Sequence, residues 1–127
     1  LLGNTLLLEG GFRPDLVVPV PLHRDRLRAR GYNQALQLAR QVGRRLAVPV
    51  APTLLRRIRN TATQQGLNAV ARKSNLRGAF VVTASLTGQR LLLVDDVLTT
   101  GATARECARA LRGAGAASVE VAVLGRA

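Results

Sequence analysis

The chain has 127 residues, 47% of them hydrophobic, 20% charged and only 2% aromatic, with a formal net charge of +12. This composition suits one globular domain with an aliphatic core; it excludes a disordered chain, and no apolar run approaches the ~20 residues a membrane-spanning helix needs. The single cysteine, Cys107, excludes an intrachain disulfide and fits a reducing cytoplasm, which is where we expect the protein.

Leu1–Glu9 reads as the end of a helix stopped at Gly10-Gly11, without the basic start or cleavage site of a signal peptide. The opening LLGNTLLLEG, with Leu in place of Met, reads like the middle of a longer chain, so a trimmed N-terminus is expected. Leu16–Val20 is a short buried strand whose end is made irregular by Pro19 and Pro21. His23–Tyr32 is polar and Arg-rich, a loop or an exposed turn. Asn33 caps the next helix, where Ala35, Leu38, Ala39, Val42 and Leu46 form one apolar face.

Val48–Val50 is a second strand, bent by Pro49 and Pro52. A long basic loop follows, over about 56–77, and loops of that length are either functional or disordered. Gly78–Val82 and Arg90–Val94 read as strands, with a turn at Thr87-Gly88 between them. From Ala104 the chain is helical, with Ala104, Cys107, Ala108 and Leu111 on one face, until Gly113 and Gly115 end it. Val119–Leu124 is the last strand. Strands alternating with helices predict an α/β domain over 1–127, with about five mostly parallel strands flanked by helices on both faces. Ligands in such sheets sit beyond the carboxyl ends of the strands.

At one such end stands L91-L-L-V-D-D-V-L-T-T-G-A-T103. Asp95 and Asp96 leave a buried apolar strand side by side. Two adjacent carboxylates repel and lose solvation, so they want a cation or hydroxyl donors nearby. A ribose offers two vicinal hydroxyls, and a bound Mg²⁺, direct or through water, would neutralise the charge. Thr99, Thr100, Gly101, Ala102 and Thr103 then supply backbone N–H groups and hydroxyls at a helix start, an anion site suited to phosphate. The plainer alternative is a pair of solvated carboxylates ahead of an ordinary capped helix; the thirteen-residue block taken whole favours the pocket. Neither a P-loop nor a G-x-G-x-x-G fingerprint is present.

The block resembles the phosphoribosyl-pyrophosphate signature of the type I phosphoribosyltransferases. The resemblance extends through V18-P-V-P-L-H-R-D-R-L-R-A-R-G-Y-N-Q34, R57-I-R-N-T-A-T-Q64, Arg72, Asn75 and G78-A-F80, which look like the ComF family. That family is associated with bacterial competence and DNA uptake, and is similar to the catalytic half of amidophosphoribosyltransferase. The resemblance implies a type I phosphoribosyltransferase-like fold, 5-phosphoribosyl-1-pyrophosphate or another phosphorylated ribose as ligand, and Mg²⁺ as cofactor. Asp95 and Asp96 would contact the ribose, directly or through the metal, and Thr99–Thr103 would cradle the 5′-phosphate. Val20–Arg26, including Pro21, Arg24 and Arg26, would stand in the pyrophosphate loop. The basic loop with Arg59 and Gln64 would close over the site. The cysteine cluster that binds zinc in many ComF proteins is absent from this sequence.

Fourteen of the 19 basic residues lie between Arg13 and Arg77. Arg24, Arg26, Arg28 and Arg30 suit a clamp on pyrophosphate or on a nucleic-acid backbone, or else a solvated face paired with Asp25. The reading that follows is a phosphoribosyltransferase, leaning to an enzyme that releases pyrophosphate. Its alternative is a non-catalytic sensor or DNA-binding module in DNA uptake, with single-stranded DNA as partner. A homo-oligomer fits either.

Overall fold

The computed structural model describes residues 13–21, 33–58, 78–98 and 101–126. Among these residues five strands and two helices run in the order β1 (Leu16–Pro19), α1 (Gln34–Leu46), β2 (Leu55–Arg57), β3 (Phe80–Val82), β4 (Arg90–Leu98), α2 (Ala102–Gly113) and β5 (Ser118–Arg126).

The central sheet has the order β1–β4–β5, with both pairings parallel. Leu91, Leu92, Leu93 and Val94 are all buried, so both faces of β4 are covered, as the unbroken apolar run predicts for a parallel strand. Alternation then divides the core in two. Val17, Leu92 and Val94 pack against Leu38, Ala39 and Val42 of α1. Val18, Leu91 and Leu93 share the other cluster with Ala104, Cys107 and Leu111 of α2, and with Leu55 and Phe80 of β2 and β3. Each fully buried aliphatic side chain contributes roughly 1.5–3 kcal/mol.

Helix α1 starts where the sequence predicts: the Asn33 side chain accepts from the backbone N–H of Ala35 at 2.9 Å and of Leu36 at 3.4 Å. It ends on Ala47 in the left-handed region, φ 55°, a position glycine usually fills. Ala35, Leu38, Ala39 and Val42 are buried as the pattern requires. Ala104, Cys107, Ala108 and Leu111 are the buried face of α2, also as read.

Beyond shifts of about two residues at the ends of β3, α2 and β5, three larger differences from expectation stand out. The Val48–Val50 strand reduces to one parallel bridge, Val50 to Val17, supported by hydrogen bonds from Val17 N to Pro49 O and from Ala51 N to Val17 O. Pro49 has no N–H, so the ladder stops there. Arg56 and Arg57, assigned to the basic loop, form β2 and pair antiparallel with β3 in a separate two-stranded sheet, Arg57 opposite Phe80. Strand β4 runs on through both aspartates to Leu98 instead of stopping at Val94, because β5 accompanies it to Arg126. The proposed N-terminal helix, His23–Tyr32 and most of the basic loop lie outside the described residues. Among the described residues no helix is long and apolar enough to cross a membrane.

Candidate functional site

Asp95 and Asp96 are where the four-residue buried run of β4 gives way to half-buried positions. The ladder to β5 pairs Asp95 with Val123 and resumes at Val97 with Gly125. In a regular strand neighbouring side chains point to opposite faces. Here the two carboxyl groups stay in contact, and Asp95 Oδ1 also accepts from the Asp96 backbone N–H at 2.9 Å. Burial raises the Asp95 carboxyl from its ordinary 3.8 to about 6, helped by its contact with the Asp96 carboxyl and by that group's charge. The Asp96 backbone N–H and the positive charge of Arg57 act in the opposite direction.

The end of β1 adjoins this position. Val20 N donates to Val94 O at 2.8 Å, and the Asn33 side-chain amide reaches Val20 O at 3.4 Å. The cap of α1 is thus tied to Val20–Pro21, beside the residue that precedes the aspartates. Beyond β4 in the chain, Gly101 sits at φ 80° and starts α2 with no side-chain cap. A residue with a Cβ resists that backbone conformation. Ala102 and Thr103 form the first turn of α2, where peptide dipoles favour an anion.

The antiparallel hairpin approaches from the α2 side. Ile58 N donates to Ala79 O at 2.7 Å, and Gly78 N reaches Glu106 Oε2 on α2 at 3.3 Å. The Arg57 guanidinium lies 4.8 Å from the centre of the Phe80 ring. Cys107 is fully buried below, and burial pushes its thiol well above the usual range, so it is a core residue and not a nucleophile.

Of the residues singled out in the sequence, Val20 is hydrogen-bonded to Val94, the residue before Asp95 and Asp96 in β4, Pro21 follows Val20, and Gly101, Ala102 and Thr103 open the helix that comes after β4. Thr99, Thr100, Arg24, Arg26, Arg59 and Gln64 lie outside the described residues. Arg57 was read as one more loop cation; the structure places it at the end of β2, opposite Phe80. Its one sequence signal is the two-residue spacing from the buried Leu55, which puts both side chains on one face of a strand.

The family described as "Phosphoribosyl transferase domain" matches residues 32–126. Competence protein F of Haemophilus influenzae is 41% identical over 117 residues, which is 90% of this chain and 51% of that protein. DNA utilization protein YhgH of Escherichia coli K12 is 42% identical over 108 residues, 85% of this chain and 48% of its own length. The chain therefore spans about half the length of these curated relatives. Among solved structures, the glutamine phosphoribosylpyrophosphate amidotransferase of Bacillus subtilis superimposes with a TM-score of 0.61 at 22% identity, over 91% of this chain and 23% of that one. The purine phosphoribosyltransferase of Pyrococcus horikoshii gives 0.55 at 16% identity, over 90% of this chain and 62% of that one. These likenesses show the type I phosphoribosyltransferase-like fold, and the resemblance to ComF agrees with a relative named competence protein F. Parallel sheet, paired carboxylates and glycine-started helix belong together: the chain is a member of the phosphoribosyl transferase domain family.

Proposed function

We propose that the chain binds 5-phosphoribosyl-1-pyrophosphate together with Mg²⁺ and transfers the phosphoribosyl group to an acceptor. The observation that carries this reading is the pair of adjacent, half-buried aspartates, Asp95 and Asp96, where the buried run of β4 ends, a few residues before a helix that starts on Gly101 without a side-chain cap. Two carboxylates held together in partial burial fit a divalent cation or a pair of sugar hydroxyls, either of which offsets their repulsion. Asp95 and Asp96 would hold the Mg²⁺, whose charge, when bound, offsets that of the pyrophosphate group.

The residues of this chain then act by positioning and charge. Asp95 and Asp96 orient the ribose through its hydroxyls. The backbone of Gly101–Thr103, with Thr99 and Thr100 ahead of it, receives the 5′-phosphate. Val20 and Pro21 border the pyrophosphate, with Arg24, Arg26, Arg59 and Gln64 as the further groups the sequence offers it. The bond from the anomeric carbon to pyrophosphate breaks, its electron pair leaves with the pyrophosphate, and the acceptor's lone pair forms the new bond on an oxocarbenium-like carbon.

Calorimetry with Mg²⁺ and 5-phosphoribosyl-1-pyrophosphate tests the reading. The Asp95→Asn/Asp96→Asn double variant is expected to weaken binding by about 100-fold or more, given the strength of hydrogen bonds to charged groups. Equal affinity in the variant and the parent protein overturns it.

A second reading is favoured by the names of the relatives, competence protein F and DNA utilization protein YhgH, and by the net charge of +12: a ligand-sensing or DNA-binding module without turnover. Such a protein binds the ligand without releasing pyrophosphate when acceptors are supplied. It also holds single-stranded DNA more tightly than other polyanions at moderate salt.

A further inference from the structure

Among the described arginines, Arg57 stands apart because it is half-buried against the core layer. It is the last residue of β2, opposite Phe80 in the antiparallel pair, and its guanidinium lies on that ring at 4.8 Å with Nε buried. Leu55 and Phe80, its neighbours on the hairpin, belong to the same cluster as Leu93 and Cys107. Alternation along β4 from Leu93 puts Asp95 on the side of the sheet that this cluster covers. The charged and titratable groups that interact electrostatically at this corner are Asp95 and Asp96 from β4, Arg57 from β2, and Cys107 and Glu106 from α2.

A cation stacked on an aromatic ring at a strand end is restricted in direction as well as place. We propose that Arg57 is a positioning residue of the ribose site: the Phe80 ring and the β2–β3 pairing hold its fixed charge beside the end of β4, where it orients the Asp95 carboxylate for the ligand. A purely structural arginine would serve only to cover Phe80, and a side chain of similar length without charge would replace it. The inference rests on the reading of the site as a ligand pocket for 5-phosphoribosyl-1-pyrophosphate.

The test compares Arg57→Met and Arg57→Lys with the parent chain. Methionine keeps an unbranched apolar stem on Phe80 and removes the charge; lysine keeps the charge. Thermal melting of each variant without ligand establishes that it folds. Calorimetry with Mg²⁺ and 5-phosphoribosyl-1-pyrophosphate then reads affinity. The expected result is a loss of about tenfold or more in Arg57→Met, with Arg57→Lys recovering most of it. Parent-like binding by Arg57→Met overturns the proposal, and so does an equal loss in both variants, which would make the guanidinium's shape the cause. If the parent chain itself does not bind the ligand, the reading of the pocket fails first, an outcome distinct from a parent that binds and a methionine variant that binds equally well.

Discussion

On the α1 side of the parallel sheet, Val17, Leu92 and Val94 meet Leu38, Ala39 and Val42, and the described cluster is wholly aliphatic. On the α2 side, Val18, Leu91 and Leu93 meet Ala104, Cys107 and Leu111, and the same layer is capped at one end by Arg57, Phe80 and Asp95. Both layers exclude water at their centres. Among the described residues, the α2 layer carries charge to its margin at Arg57 and Asp95, where a carboxylate without a nearby cation would be costly. The α2 layer thus joins core packing to charged groups, whereas the described α1 cluster is packing alone.

The largest expected effects test whether the layers are equal as cores. Leu92 and Leu93 are adjacent in β4, almost fully buried, and point to opposite layers. Leu92→Ala and Leu93→Ala should each cost about 2–5 kcal/mol in urea unfolding, the range for a buried leucine that leaves a cavity. Ligand affinity should separate them. Leu93→Ala loosens the layer that supports Asp95 and Arg57, so it should bind 5-phosphoribosyl-1-pyrophosphate more weakly than Leu92→Ala under conditions where both are folded. Equal losses of affinity would erase the distinction between the faces.

A smaller effect comes from one substitution made in both helices. A Cβ on Gly43 of α1 would stand 2.7 Å from Val50 Cγ2 and 2.8 Å from the Val48 carbonyl oxygen. The valine methyl can move, but the carbonyl belongs to the segment that crosses beside β1. Gly43→Ala should therefore destabilise by about 1–2 kcal/mol, overpacking outweighing the gain in helix propensity. A Cβ on Gly113 of α2 meets nothing within 4 Å. Gly113→Ala should be neutral or stabilising by up to about 1 kcal/mol. Opposite signs for the two variants in chemical denaturation are the expected result; equal signs would mean that α1 does not approach Val48–Val50 this closely.

Much of this arrangement is legible in the chain itself. The i, i+3, i+4 spacing of Ala35, Leu38, Ala39 and Val42 behind Asn33 specifies α1 and its start, because only a helix brings those residues to one face. The run Leu91–Val94 identifies the central strand, since only a strand covered on both sides is apolar at every position. The acidic pair and the glycine turn stand out because their chemistry is costly without a ligand. The antiparallel hairpin is much harder to read. Leu55-Arg56-Arg57 is three residues long and mostly charged, too short for a period to register, and its partner strand lies beyond a segment of about twenty residues. The burial of Arg57 depends on Phe80 arriving opposite it, a tertiary fact with no local signature. Strand β4 outruns its apolar run for a similar reason: its pairing with β5, not its own hydropathy, carries it past the aspartates.

The smallest effect concerns the charged margin alone, and its sign follows from linkage. The Asp95 carboxyl titrates near its ordinary 3.8 when unfolded and at about 6 when folded, chiefly through burial. Between those values the native protein binds more protons than the unfolded chain. This residue's contribution to stability therefore falls as pH rises from about 4 to about 6, and the penalty is complete above that. Asp95→Asn removes the titration while its side-chain oxygen still accepts from the Asp96 N–H. In the absence of ligand the variant should gain about 1 kcal/mol on the parent at neutral pH, the linkage figure being discounted for the solvent that still reaches the carboxylate, and should gain little at pH 4. Urea unfolding of both proteins from pH 4 to 7 checks this, because the titrating groups other than the neighbouring Asp96 are common to the pair and cancel in the difference. A difference that does not change with pH would place Asp95 in a solvated position, and the α2 face would lose the buried charge that sets it apart from the α1 face.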